Sequence, residues 1–323
     1  MASRLRMAVF AFAGAAVAML VVGHDASATS ITLGIAANYG LLTGLGETTN
    51  IGGGFKLTGN LGLATGYNVT IAGTNSQTGI TYYDGSNGGG QFTDNGTYST
   101  GGASVNQSMT STLNAAYSAA SAAAAATATT GLTDQGGSIS LSGSSVTIKA
   151  LTNLSENVLD ISTLSLTNST LTFDDNGFTG AKFIVNITGG FSVSSSGSLA
   201  SIIQGINGAS ASDIIFNIEG TGSAVSITGN STNQVIGTIL APSRNVTIGG
   251  GGTLTGELLA GVNNLGNKYT LTEQSSGFNL KALSYVPQAA VKTPEPSSIA
   301  LFGAGGIVLL VARRRRRATA KAD

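Results

Sequence analysis

The chain has 323 residues, 9% of them charged, with 15 basic against 15 acidic residues, no cysteine, no tryptophan and a single histidine, His24. That composition excludes thiol nucleophiles, histidine-based triads and ordinary zinc sites. The zero net charge comes from the ends, because between Thr29 and Lys292 only seven basic residues (Lys56, Lys149, Lys182, Arg244, Lys268, Lys281 and Lys292) stand against twelve acids, a balance of −5 with no electrostatic footprint for nucleic acid.

The first element is a secretory signal peptide over 1–28. Arg4 and Arg6 precede an apolar run from Met7 to Val22, and Ala26-Ser27-Ala28 supplies the small-x-small site that signal peptidase cuts, at Ala26 and Ala28. The body, 29–285, is rich in Gly, Ser, Thr, Ala and Asn. Apolar alternation keeps it from reading as disorder. Short strands are expected at Phe55–Thr58, Asn68–Ile71, Ser138–Leu141, Ser145–Ile148, Leu164–Leu166, Thr170–Phe173, Lys182–Ile187, Ile214–Ile218, Val225–Ile227, Val235–Leu240 and Val246–Ile248, each ending at Gly, Asn or Ser.

Tyr82, Tyr83, Phe92 and Tyr98 fall in a Gly/Asn-rich insertion, where aromatic rings either pin a long loop or stack on a ligand. Ser104 to Thr130 is alanine-rich and free of Gly and Pro, which predicts one long helix over 104–130. Val105, Met109, Leu113, Tyr117 and Ala120 make its apolar stripe, Ser104 or Asn106 its start cap, and Gly131 its end.

Beyond the helix, Lys182–Gly189 repeats as Asp213–Gly220 at an offset of 31 residues. Short strands with recurring glycine corners point to stacked rungs, with a β-sandwich as the alternative. Gly52–Gly54 and Gly249–Gly252 supply corners at positive φ rather than phosphate cradles, since no Gly-Lys-Ser/Thr follows. Asp174-Asp175, ahead of Asn176-Gly177, reads as a polar turn, with a calcium site as the other reading. Thr-x-Thr or Thr-x-Ser at Thr163, Thr170, Thr253 and Thr270 puts hydroxyls on one strand face. Thr170, Thr172, Thr253 and Thr255 are the candidate ice- or ligand-binding face, although the sequence shows no fixed register among them and threonine also suits any solvent-facing strand.

A linker, 286–293, leads to a tail at 294–317. Pro294, Glu295 and Pro296 precede an apolar segment, 297–312, and five arginines, Arg313, Arg314, Arg315, Arg316 and Arg317. A transmembrane helix is expected over 297–312, shorter than a full bilayer core needs, with the arginines holding its end in the cytoplasm. Five arginines also read as a nucleic-acid patch, but an adjoining apolar segment and a signal peptide argue against that.

The tail resembles the PEP-CTERM sorting signal, also known as the ice-binding protein C-terminal domain. The motif, the apolar run with Gly303, Gly305 and Gly306, and the arginines carry the likeness. The resemblance implies a Gram-negative host, an exosortase-type enzyme that cuts near the motif, an inner-membrane intermediate, and delivery to the cell surface or beyond. The body resembles bacterial ice-binding-protein-like domains over most of Thr29–Asn279. Leu33–Leu42 looks like the opening strand, Leu113–Tyr117 like the helix, and Gly237–Pro242, Val246–Ile248 and Leu254–Gly261 like the final rungs. The same final pattern resembles the choice-of-anchor A domain. These likenesses imply a mainly β fold: an irregular, discontinuous, right-handed β-solenoid with one long helix alongside. The expectation is a cofactor-free surface or matrix protein that binds a glycan, a matrix protein or ice, with ice binding as the alternative to adhesion. A polysaccharide-acting enzyme is a third class, disfavoured by the lack of clustered acids and bases.

Overall fold

The computed structural model describes residues 31–283 apart from 45–47, 65–67, 85–90, 95–96, 101–103, 133–135, 152–155, 262–268 and 275–276. The expected signal peptide, linker and sorting tail lie outside the described residues. No described helix is long and apolar enough to cross a membrane.

Ten short strands come first. They are β1 (Tyr39–Thr43), β2 (Thr48–Ile51), β3 (Lys56–Thr58), β4 (Asn60–Leu63) and β5 (Asn68–Ile71). Next are β6 (Thr74–Gln77), β7 (Thr81–Tyr83), β8 (Gln91–Asp94), β9 (Thr97–Thr100) and β10 (Val105–Asn106). One helix follows, α1 (Thr110–Ala125). The second block opens with β11 (Ser138–Ser142), β12 (Ser145–Lys149), β13 (Glu156–Ile161), β14 (Thr163–Thr167), β15 (Thr170–Asp174) and β16 (Lys182–Ile187). It continues with β17 (Phe191–Ser194), β18 (Ile202–Ile206), β19 (Ile214–Ile218), β20 (Val225–Ile227), β21 (Gln234–Ile236) and β22 (Thr238–Ala241). It closes with β23 (Val246–Gly249), β24 (Thr253–Thr255), β25 (Leu258–Ala260), β26 (Thr270–Gln274) and β27 (Asn279–Lys281).

The strands stack as three nine-stranded parallel sheets. Sheet A runs β10-β7-β4-β1-β25-β22-β19-β16-β13, sheet B runs β11-β14-β17-β20-β23-β26-β2-β5-β8, and sheet C runs β12-β15-β18-β21-β24-β27-β3-β6-β9. This is a β-solenoid, each coil giving one strand to each sheet, and it rules out the sandwich. It is discontinuous in sequence, because the first coil (β1, β2, β3) lies on the last (β25, β26, β27). The repeat at an offset of 31 is the in-register pair Phe183↔Ile214 through Ile187↔Ile218.

Period two explains the core. Leu164, Leu166, Leu171, Phe173, Phe183 and Val185 point inward and are fully buried, while their neighbours point out. Four phenylalanines from the three sheets meet inside: Phe173 lies 5.0 Å from Phe183 and 5.9 Å from Phe216, and Phe191 lies 5.4 Å from Phe216. Corners are tied by asparagines that bond the adjacent coil. Asn75 accepts from the Phe55 amide (2.8 Å), Asn233 from the Ser201 amide (2.8 Å) and Asn60 from the Ile80 amide (2.9 Å). Gly250, at φ +81°, confirms the corner reading of its run, since a Cβ there would stand 1.5 Å from the Gly229 carbonyl oxygen.

Two expectations need correcting. The opening segment Leu33–Leu42 is strand only from Tyr39; Gly34–Asn38 is a 3-10 turn, started by Gly34 at φ +52° and held by burial of Ala36. The helix is shorter than 104–130, and its stripe is turned. Val105 lies in β10 and Tyr117 is 39% exposed, whereas Met109, Leu113, Ala116, Ala119, Ala120 and Ala123 are buried. The reason is the surface beneath. Sheet A turns large side chains outward at Leu42, Ile184, Ile215, Leu240 and Leu259, so the helix presses alanines onto it. Neither Ser104 nor Asn106 caps it. The Met109 amide donates to Asp84 Oδ2 (3.1 Å), and Asn186 Nδ2 donates to the Ala123 carbonyl (2.8 Å) near the other end.

An anomaly of the interior lies at the joint between first and last coils. Along one inward column of sheet B, Leu166, Val193, Ile227, Ile248, Glu273 and Ile51 follow in register. Glu273 is 3% exposed, and neither carboxyl oxygen has a hydrogen-bond partner among the described residues. Burial pushes it up to about 7. Thr49, in the neighbouring column beside Leu271, is also buried with an unpartnered hydroxyl.

Two measurements follow from this packing. Leu113→Asp, which sets a charge against sheet A, is expected to cost about 3 kcal/mol or more, and Tyr117→Asp less than about 1 kcal/mol; equal melting temperatures for the two would show that α1 is seated differently. Glu273 ionises in the unfolded chain near 4.5 and in the fold only near 7, so stability falls as pH rises through that window. Glu273→Gln should remove up to about 3 kcal/mol of that loss. Urea unfolding at pH 5 and pH 8 reads it: the variant's advantage must grow with pH.

Candidate ligand-binding faces

A three-sheet prism offers three outer faces. That of sheet A lies under α1 and the 3-10 turn, with Asp160, Asn186 and Asn217 laddered beside the helix end: Asn217 donates to Asn186 (3.0 Å) and Asn186 to Asp160 (3.0 Å). Sheets B and C remain to meet a ligand.

On sheet B the pairing places Ser140, Ser165, Ser192, Ser226, Thr247, Thr272, Asn50 and Thr70 in one straight column across eight strands. Ser138, Thr163, Thr270 and Thr48 flank it on one side, Ser142, Thr167, Ser194 and Gln274 on the other. Strand spacing is about 4.8 Å and the step between outward residues about 6.7 Å, so these groups form a two-dimensional array. Hydroxyls bond along it, Ser138 to Ser162 at 2.7 Å and Thr167 to Ser194 at 3.1 Å. No outward position of the described part of this sheet carries a charge or an aromatic ring. Thr163 and Thr270, singled out by their spacing, lie here.

The four candidates Thr170, Thr172, Thr253 and Thr255 stand together on sheet C. Thr170 and Thr172 lie on β15, and Thr253 and Thr255 on β24. They share a face and two columns, but β18 and β21 come between them with Ile202, Gln204, Gln234 and Ile236 outward. Thr172 is itself buried and accepts from Gln204 Nε2 (3.2 Å). Sheet C also turns out Lys56, Lys149 and Lys281.

The expected lack of register is thus corrected. Threonine and serine rows exist on sheet B, and varying coil length hides them in the sequence: Ser192 to Ser226 is 34 residues, and Ser226 to Thr247 only 21. Counting outward residues between successive glycine corners, instead of looking for a fixed period, is the signal that finds them.

Elsewhere the chemistry is structural. Asp174 accepts from the Asn176 amide and Asn207 Nδ2, both at 2.8 Å, and Asp175 from the Gly177 amide at 3.0 Å. The Asn207 bond, then the Asn176 amide, hold Asp174 below the usual carboxylate range. Asn176 takes φ 56°, so this is a polar turn, and among the described residues no group of three or more His, Cys, Asp or Glu is placed to hold a metal ion. Tyr82 is buried edge-on against Tyr39, ring centres 5.5 Å apart, and offers no stacking platform. The side chains of Phe92 and Tyr98 lie outside the described residues. Arg244 is buried at a corner, donating to the carbonyls of Thr188 (2.9 Å) and Ser223 (3.0 Å) and to that of Glu219.

Among solved structures the chain is similar to an ice-binding protein from an Antarctic biological consortium, at 20% identity and TM-score 0.48, over 78% of this chain and 90% of that one. It is similar to a glycosylated ice-binding protein from Arctic yeast at 17% identity and TM-score 0.47, over 81% and 98%. A third is the ice-binding protein 1 DUF3494 domain of Shewanella frigidimarina, at 19% and 0.45, over 78% and 97%. No curated protein matches. Residues 292–317 match the PEP-CTERM protein-sorting motif, the mark of a protein exported to the cell surface. Residues 19–269 match the ice-binding-like adhesive domain, and the chain belongs to that family.

Proposed function

We propose that this exported protein acts by surface binding rather than catalysis, and that the surface is ice, held on the outer face of sheet B. The observation that carries the reading is the uncharged column from Ser140 to Thr70, with hydroxyl or amide side chains on every strand. Short side chains lose little entropy on contact, and threonine is stiff at χ1, so its hydroxyl and methyl keep their places. Many weak contacts repeated in two directions suit a lattice of ordered water, and the absence of charge avoids tightly held, misplaced hydration. Family membership supports ice and adhesion alike. Adhesion to a glycan or a matrix protein is the second reading, favoured by the lysines and isoleucines of sheet C. The earlier candidates Thr253 and Thr255 belong to that face.

In sorting, signal peptidase cuts after Ala28. The body, 29–285, crosses the inner membrane and is held by 297–312, with Arg313 to Arg317 in the cytoplasm. An exosortase-type enzyme then cuts near Pro294, Glu295 and Pro296. The match over 292–317 supports the exosortase step.

Thermal hysteresis of the full chain in detergent tests the ice reading. Thr247→Tyr, a bulky ring in the middle of sheet B, should abolish it, and Thr253→Tyr on sheet C should leave it within about twofold, with melting temperatures of both variants close to the parent. Absence of hysteresis or ice shaping in the parent defeats the reading, and loss in Thr253→Tyr alone moves the face to sheet C.

Replacing Pro294, Glu295 and Pro296 with alanine should leave the protein uncut in the inner membrane, read by fractionation. Ordinary surface delivery of that variant refutes the sorting scheme.

A further inference from the structure

Among the described residues, the lysines are not spread evenly over the prism. Of the seven in the acidic body, Lys56, Lys149 and Lys281 are exposed on the outer face of sheet C. Lys56 and Lys281 sit on paired strands, Asn279 opposite Lys56 and Lys281 opposite Thr58, so the two ammonium groups are diagonal neighbours. Like charges side by side on a sheet are unfavourable without a counter-charge. The one acid among the described outward positions of this sheet is Asp174, which stands opposite Lys149, four strand steps from Lys281, and is engaged by Asn176 and Asn207. Lys182, by contrast, lies on sheet A opposite Glu156.

Five strand steps separate β12 from β27, roughly 24 Å, and β3 is one step further. The ground between the lysines is hydrogen-bonding and mildly apolar, with Gln204, Gln234 and the half-buried Ile202. Ala282, next to Lys281, donates to the Thr58 carbonyl (2.8 Å) and holds this end of β27 on β3.

We propose that the outer face of sheet C binds a linear anionic polysaccharide of the surface to which the protein is delivered, with Lys56 and Lys281 as its principal contacts. An extended polymer fits lysines strung over this length. A lipid surface does not, since it calls for clusters of about four to eight basic residues or an inserted apolar face. The site is independent of ice binding on sheet B: the two faces differ in charge and share no outward residue.

The test uses the full chain in detergent and a column carrying alginate, with neutral dextran as the comparison. The protein should bind alginate at low salt, leave it as salt rises, and ignore dextran. The double substitution Lys56→Gln with Lys281→Gln should weaken binding about tenfold. Lys182→Gln, an equal loss of charge on another face, should leave it unchanged, and Lys56→Arg with Lys281→Arg should keep it. No binding to alginate, equal binding to dextran, or equal weakening by Lys182→Gln overturns the proposal. Binding to phosphatidylglycerol vesicles without binding to alginate also overturns it, in favour of a lipid ligand. Thermal hysteresis on the same samples reads the ice face separately.

Discussion

Each coil of this solenoid is held by backbone hydrogen bonds to the coils on either side, and the chain closes the ladder between its two halves by laying its last coil on its first. An isolated coil has nowhere to put its amides and carbonyls. The first coil, β1, β2 and β3, therefore finds its partners β25, β26 and β27 some two hundred residues later, and contacts of such sequence separation form slowly. Helix α1 makes the arrangement workable. From Met109 over Gly62 to Ala123 beside Asn186 it covers about 21 Å, against about 24 Å for the five strand steps from β4 to β16. It carries the chain back along the prism while burying the outer face of sheet A.

The same joint explains why the interior departs from aliphatic packing there. Glu273 stands between Ile248 and Ile51 in its column and Thr49 beside Leu271 in the next, and both sit where the two blocks meet. Every other contact between coils within a block follows a covalent turn. Only this one joins strands remote in sequence. A buried carboxyl without a partner among the described residues is costly once ionised, and it stands at this joint.

Much of the fold was legible because a strand in a solenoid is a local object. Lys182–Ile187, Ile214–Ile218 and Val225–Ile227 stand as read, since alternation and a terminal glycine or asparagine settle each one. The 31-residue repeat became a true register pair for the same reason. What failed depends on contacts that no short window contains. The stripe of α1 was drawn through Tyr117, the largest apolar residue available, but sheet A already supplies the bulk and selects Ala116, Ala119 and Ala123 instead. The helix ends are satisfied by Asp84 and Asn186, residues 25 and 63 positions away, rather than by a neighbour in sequence.

The candidate face is instructive in another way. Thr170, Thr172, Thr253 and Thr255 were chosen on local spacing alone, and all four fell on one sheet, because outward alternation is also local. Which hydroxyls make an unbroken surface is decided by the strands between, and those strands carry Ile202 and Ile236 on sheet C but Ser192 and Ser226 on sheet B. Neither serine draws attention in the sequence. A flat array needs only that nothing large or charged interrupts it, so its signature is what every coil leaves out. A face of this kind is specified by exclusion, strand by strand, and sheet C, which admits lysine and isoleucine, is chemically its opposite.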